Sequence, residues 1–250
     1  MGHGATDKGV RGMKAIGIVG GVGPFAGTDL ADKVFKHTKA RTDQEHIDLY
    51  LVSCPSIIPD RTGFLLEGGD DPAPGIQRCI EKLALCGASA VGVSCNTAHS
   101  PDILGRVAIP EGVTLVNMIE KTSEYVKKAF GDAKVGLLST LGTQDTGVYD
   151  RYFDGLVKPD RCVSEEVHQA IYDKIYGIKA VTPVSSKATV SIYEAVLHLK
   201  SKGCKAVILG CTELPLVFPG KDEFEGVKLI DPTEILAIEL IRSTCPEKLI

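Results

Sequence analysis

Two segments 116 positions apart, Gly87–Cys95 and Gly203–Cys211, run the same eight steps from a glycine through an apolar stretch to a cysteine. An apolar run bounded in this way suits a buried parallel strand, which puts a cysteine at the end of the strand in both cases. A second echo sets Lys14–Ile18 against Lys134–Leu138, and Gly23 against Gly142 119 positions later. A chain repeated at this interval is expected to fold as two related halves.

Alternating periodicities fill in the halves. Strands are predicted at Ala15–Val19, His46–Ser53, Ser89–Ser94 and Thr114–Asn117, then at Lys134–Ser139, Ala206–Leu209 and Val227–Ile230. Helices are predicted at Phe25–Lys39, Gly75–Cys86, Pro101–Arg106 and Ile119–Phe130, then at Gln144–Phe153, Val167–Ile175, Thr189–Lys202 and Pro232–Ile241. Between Pro55 and Pro74 the prolines and the Gly68-Gly69 pair predict a long loop, and a loop of that length is usually functional. The expected class is α/β: two similar lobes with parallel sheets flanked by helices, related by a pseudo-twofold axis, with the active site in the cleft between them. Residues 13–117 form the first lobe, completed by the C-terminal helix of 232–250, and residues 118–231 form the second. Residues 1–12 read as a flexible tail.

With 250 residues and 44% hydrophobic content the chain can bury one large core or two modest ones, and the repeat favours two. A formal charge of −4, with no basic stripe, gives no electrostatic case for nucleic acid. No apolar run is long enough to cross a membrane and no export signal is visible, so the expected location is the cytoplasm. Eight cysteines in such a chain are then reduced thiols, most of them packing groups, Cys54, Cys79, Cys86 and Cys204 among them. Gly2 with Thr6 fits the myristoylation pattern, but so short a pattern recurs by chance.

Two thiols facing each other across a cleft suit inversion at a tetrahedral carbon, one sulfur removing a proton and the other returning one to the opposite face. A helix starting just after Cys95 would favour the thiolate there. Asn96, Thr97 and Thr212 offer donors for a carboxylate, although each residue type also favours helix starts for structural reasons. Arg61, in the proline-rich loop, has a guanidinium fork that matches a second carboxylate. Thr143 is a further candidate by its position after a strand. His99 and Glu213, each a short step past a cysteine, either tune the thiols or serve as structural residues.

Ile16–Pro24, Pro59–Thr62, Ser94–His99 and Gly210–Leu214 together resemble the aspartate racemase branch of the aspartate/glutamate racemases, over about residues 14–241. The resemblance implies cofactor-independent racemisation at the interface of two α/β lobes, commonly in a homodimer. Cys95 and Cys211 would be the acid/base pair, with Asn96, Thr97 and Thr212 around the α-carboxylate. It also implies a basic residue between Lys174 and Lys179, taken here as Lys179, on the side-chain carboxylate, and a place for Gly23 in the substrate site. The substrate is then an acidic amino acid, aspartate first, with glutamate or a broader range as the alternative. Val22 and Phe25 depart from the family pattern and bear on substrate size more than on chemistry.

Three other classes compete. Gly21, Gly23 and Ala26 satisfy a dinucleotide G-x-G-x-x-A pattern, but Pro24 lacks an N–H where a phosphate cradle needs one. Cys95, His99 and Cys211 could share a metal, without any Cys-x-x-Cys motif in support. A non-catalytic two-lobed binding protein would have the same cleft, but has no use for matched cysteines. The expectation is therefore no metal, no nucleotide and no pyridoxal phosphate.

Overall fold

The structure, a computed structural model, describes residues 14–250; the predicted tail and Gly2 lie outside the described residues. In chain order the elements are β1 (Ala15–Gly20), α1 (Pro24–Lys36), β2 (Leu49–Ser53), α2 (Arg61–Glu67), α3 (Ala73–Leu85), β3 (Ala88–Val93) and β4 (Thr114–Leu115). There follow α4 (Met118–Phe130), β5 (Val135–Ser139), α5 (Leu141–Asp145), α6 (Arg161–Tyr172), α7 (Ser186–Ser201), β6 (Ala206–Gly210), β7 (Glu223–Phe224), β8 (Val227–Ile230) and α8 (Pro232–Thr244).

Two four-stranded sheets result, ordered β2-β1-β3-β4 and β5-β6-β8-β7. The first is wholly parallel, and the second is parallel apart from β7. The run β1-β3-β4 corresponds to β5-β6-β8, the internal repeat made visible. The counterpart of β2 has shrunk to one residue: Val157 accepts from the Leu137 N–H at 3.0 Å and donates to Val135 at 2.9 Å. β7 is an addition the periodicity did not announce. It joins β8 through Glu225 and Gly226, both at positive φ as a type I′ hairpin turn requires.

Several boundaries differ from expectation for identifiable reasons. The Pro55–Pro74 loop contains α2, because Asp60 caps it by accepting from the Gly63 N–H at 2.7 Å and Gly68, at φ 71°, stops it. No α-helix follows Cys95. A single 3₁₀ turn, Thr97–His99, ends at Ser100, which precedes Pro101 and is steered out of helical conformation by it. The Pro101–Arg106 helix is reduced to a 3₁₀ turn at Leu104–Arg106. The Gln144–Phe153 helix is instead α5, capped by Thr140, followed by turns through Gly147 at φ 63°. α6 begins and ends earlier than predicted, at Arg161 and Tyr172.

β1, β5 and β6 are buried along their whole length. Each half has its own apolar cluster, around Ile80 and Val91 and around Leu199 and Val207. A third cluster crosses the halves, joining Ile16 and Ile18 of β1 to Leu137 of β5, Ile208 of β6 and Leu236 and Leu240 of α8. Two separate cores were expected; the third exists because α8 leaves β8 and packs back on α1 and β3. No helix among the described residues is long and apolar enough to cross a membrane.

α4 and α8 start alike. Asn117 accepts from the Ile119 and Glu120 N–H groups, and Asp231 accepts from that of Thr233. Asp231 also receives the Lys33 ammonium at 2.6 Å from α1. Asn117→Ala should therefore cost about 1 kcal/mol, and Asp231→Ala more, because it also takes one of two carboxylate partners from a largely buried lysine and leaves it with Asp29 alone. Urea midpoints of the two variants would show that order.

Candidate active site

The two cysteines are carried by the repeat. β3 runs out at Val93, Ser94 donates its hydroxyl to Val19 at 3.1 Å, and Cys95 follows. β6 runs out at Gly210 and Cys211 follows. Both thiols are buried and line one narrow cavity. Of the candidates read from the sequence, Asn96, Thr97, Arg61, Lys179 and Thr212 also line it, and Glu213 with them.

The first-half wall is held from the second half. The Asn96 carbonyl oxygen accepts from the buried Tyr149 hydroxyl at 2.6 Å, which leaves the amide nitrogen buried without a partner among the described residues. The Thr97 hydroxyl sits 2.7 Å from that of Thr143 and 3.1 Å from that of Thr140. Thr143 thus stands behind Thr97 and not on the cavity, while Thr140 is on it. His99 is structural: Nδ1 meets the Cys95 carbonyl at 2.8 Å and Nε2 faces the Met118 N–H at 3.3 Å, so the ring is neutral with its proton on Nδ1. Burial pushes its pKa down to about 4.

Arg61 opens α2 and is itself buried. Its terminal nitrogens donate to the Val22 carbonyl at 2.7 Å and the Pro59 carbonyl at 3.1 Å, while Nε is buried and has no partner among the described residues. Burial works against its charge, but Cys95, Tyr172 and Asp60 outweigh it and hold the guanidinium above its ordinary pKa.

Around Cys211 the chemistry is ionic. Its thiol donates to Glu213 Oε2 at 3.0 Å, and the Thr212 hydroxyl donates to the same oxygen at 3.2 Å. Lys179 Nζ lies 3.6 Å from Glu213 Oε1 and 4.7 Å from the centre of the Tyr172 ring. Burial and then the Glu213 charge push the Cys211 pKa well above the usual thiol value, Lys179 offsetting only part of this, so the group is a protonated thiol. Burial opposes the Lys179 charge, but Glu213 and Cys211 more than compensate and raise its pKa. Tyr172, missed in the sequence because its helix was extended past it, donates to Asp60 at 3.0 Å. Burial first of all pushes its pKa to about 12.

Gly23 does not line the cavity but backs it. A Cβ there would come within 2.6 Å of Glu213 Oε1. That carboxylate also bears on the rival nucleotide reading, since it would repel a phosphate at the glycine turn. Among the described residues no group of three His, Cys, Asp or Glu side chains is placed to share a metal ion, and both His99 nitrogens are already engaged.

Two α/β halves closing matched strand-end cysteines on one cavity define a class, and residues 19–240 match the Asp/Glu/hydantoin racemase family. The chain belongs to that family. Over 92% of its length, and 94% of the other's, it superposes on the aspartate racemase of Picrophilus torridus with a TM-score of 0.77 at 29% identity. An aspartate racemase homologue from Pyrococcus horikoshii, 24% identical with a TM-score of 0.67, bears on the fold alone. Glutamate racemases of Listeria monocytogenes are 30% identical over 162 residues, 62% of this chain. The aligned region spans 57% of the length of those curated relatives.

The sign of the Glu213 effect is testable. Removing its charge in Glu213→Gln takes away the main electrostatic opposition to a Cys211 thiolate while leaving burial in place. The pH midpoint for Cys211 alkylation, followed by mass spectrometry in a Cys95→Ser background, should fall relative to that of the parent.

Proposed function

We propose that this chain racemises an acidic amino acid, aspartate in the first instance, with Cys95 and Cys211 as the two proton-transfer groups. In one direction the Cys95 thiolate takes the Cα proton and forms its S–H bond. The electron pair of the broken C–H bond flows toward the α-carboxylate, and the Cys211 thiol delivers its proton to the opposite face. The enzyme is left with a Cys95 thiol and a Cys211 thiolate, the state needed for the reverse reaction. The thiol pair supplies both proton transfers, so this scheme calls on no cofactor.

The observation that carries the reading is a pair of buried, unpartnered donors, Asn96 Nδ2 and Arg61 Nε, on residues lining the cavity that holds both cysteines. Buried donors without acceptors cost about 1–3 kcal/mol each, and a dicarboxylic substrate supplies the missing acceptors. Asn96, Thr97 and Thr212 suit the α-carboxylate, whose growing negative charge they stabilise. Arg61 and Lys179 suit the side-chain carboxylate. The nearly full-length likeness to the Picrophilus aspartate racemase supports aspartate over glutamate, a distinction of one methylene worth about 1–3 kcal/mol. The family resemblance supports a homodimer, which sedimentation would show as twice 26.6 kDa.

Chiral chromatography on both enantiomers of aspartate, glutamate, asparagine and alanine should show conversion of aspartate foremost. Cys95→Ser and Cys211→Ser should each lower kcat by about 10²–10⁴-fold while calorimetry still detects aspartate binding. Wild-type protein that binds aspartate but never exchanges its α-proton in deuterated water would instead be a binding protein.

A further inference from the structure

We infer that Tyr149 is a positioning residue: its hydroxyl decides which end of the Asn96 amide faces the substrate's α-carboxylate. The inference rests on the racemase reading above and concerns a residue that lies outside the cavity.

An asparagine amide is planar, with an acceptor at one end and a donor at the other, and the two ends are nearly equal in size. Only the donor end can receive a carboxylate. Turned over, the same side chain would present its oxygen and repel the ligand. A hydroxyl on the far side can serve either end, but while it donates to the oxygen the nitrogen is left free, so such a donor sets the orientation; no neighbour of Asn96 in sequence supplies one.

Tyr149 does. It lies 53 positions further along, in the turns after α5, and none of its surface is exposed. Its ring is packed in the apolar cluster shared by both halves, with Val148 and Phe153 on its own side and Ile16 and Ile18 of β1 in the same cluster. From there the hydroxyl donates to Asn96 Oδ1 at 2.6 Å, and Nδ2 is left buried and unpartnered. Burial, and then the nearby Asp231 charge, keep the phenol protonated at any working pH, so its proton is always available for that oxygen. A rigid, core-anchored donor thus fixes the amide before the ligand arrives, and no binding energy is lost to ordering it.

The test is a double-mutant cycle on racemisation kinetics, with Tyr149→Phe, Asn96→Ala and the double variant, each also followed by thermal melting. Tyr149→Phe should lower kcat/KM about tenfold, while in the Asn96→Ala background the same change should move kcat/KM by less than about twofold. A kcat/KM loss of equal size in both backgrounds would show that Tyr149 acts as structure alone, and an unchanged kcat/KM in the single variant would show no role at all; either overturns the inference. Asn96→Asp keeps the phenol in place and puts an oxygen at both ends of the group. It should bind aspartate no better than Asn96→Ala, and wild-type affinity in that variant would overturn the inference even if Tyr149→Phe failed to fold. A wild-type enzyme that converts no acidic amino acid sinks the racemase reading instead, a separate result from an active wild type whose variants behave additively.

Discussion

The site exists because the two halves approach each other at two glycines. Gly23 follows β1 and Gly142 follows β5, and they are partners in the internal repeat. A Cβ on Gly23 would come within 2.6 Å of Glu213 Oε1, and one on Gly142 would come within 2.6 Å of Thr62 Oγ1. Each contact crosses from one half to the other, in opposite senses. A side chain at Gly142 would press on the Thr62 backbone and push α2 from α5, and one at Gly23 would displace the Glu213 carboxylate from its place beside Cys211. Behind this contact the cluster spanning β1, β5 and α8 holds the halves together from the apolar side.

Duplication has equalised the backbone but not the electrostatics. Cys211 has a carboxylate two residues on that accepts its proton and a lysine beside that carboxylate. Cys95 has instead a neutral histidine that ties its carbonyl to the start of α4, and a buried arginine nearby. Removing an ion from water into a protein interior costs several kcal/mol, so a buried Lys179–Glu213 pair is weak evidence for stability. Its position beside a thiol has a chemical consequence: the Glu213 charge adds to burial in holding Cys211 protonated, and Lys179 offsets part of that effect. The two sulfurs are therefore unequal in the resting protein, one surrounded by a hydrogen-bonded carboxylate and the other by an arginine.

The parts of this arrangement legible in the sequence are those that rest on periodicity. The buried strands read as apolar runs, and the glycine-to-cysteine step placed both thiols at strand ends without reference to tertiary structure. Cys95, Cys211, Asn96, Thr97 and Thr212 come together on the cavity for that reason. Arg61 was picked out from a segment read as loop; prolines and Gly63 hid the periodicity of α2, and only the Asp60 cap and the Gly68 stop betrayed it. Thr143 was chosen for following a strand, yet on α5 it is Thr140, at the cap, that faces the cavity, with Thr143 one turn behind. Tyr149 and Tyr172 left no local signal at all. Their roles come from hydrogen bonds spanning 53 and 112 positions, to Asn96 and Asp60, and such pairings depend on how the halves pack.

Those long-range bonds give the cavity a collective character. Asn96 and Thr97 belong to the first half but are held by Tyr149, Thr140 and Thr143 of the second. Tyr172 of the second half is tied to Asp60 of the first, and Glu213 of the second abuts Gly23 of the first. A parting of the halves at the exposed Tyr172–Asp60 contact would open the cavity while leaving the Tyr149–Asn96 bond, anchored in the shared apolar cluster, in place. The Tyr172–Asp60 bond is worth only about 0.5–1.5 kcal/mol net, whereas Tyr149 could leave Asn96 only by also disrupting the apolar cluster that joins the halves. The wall that carries Asn96 and Thr97 then stays assembled while the exposed side opens. The reacting carbon would meet both thiols only when the donors that stabilise its charge are already in place.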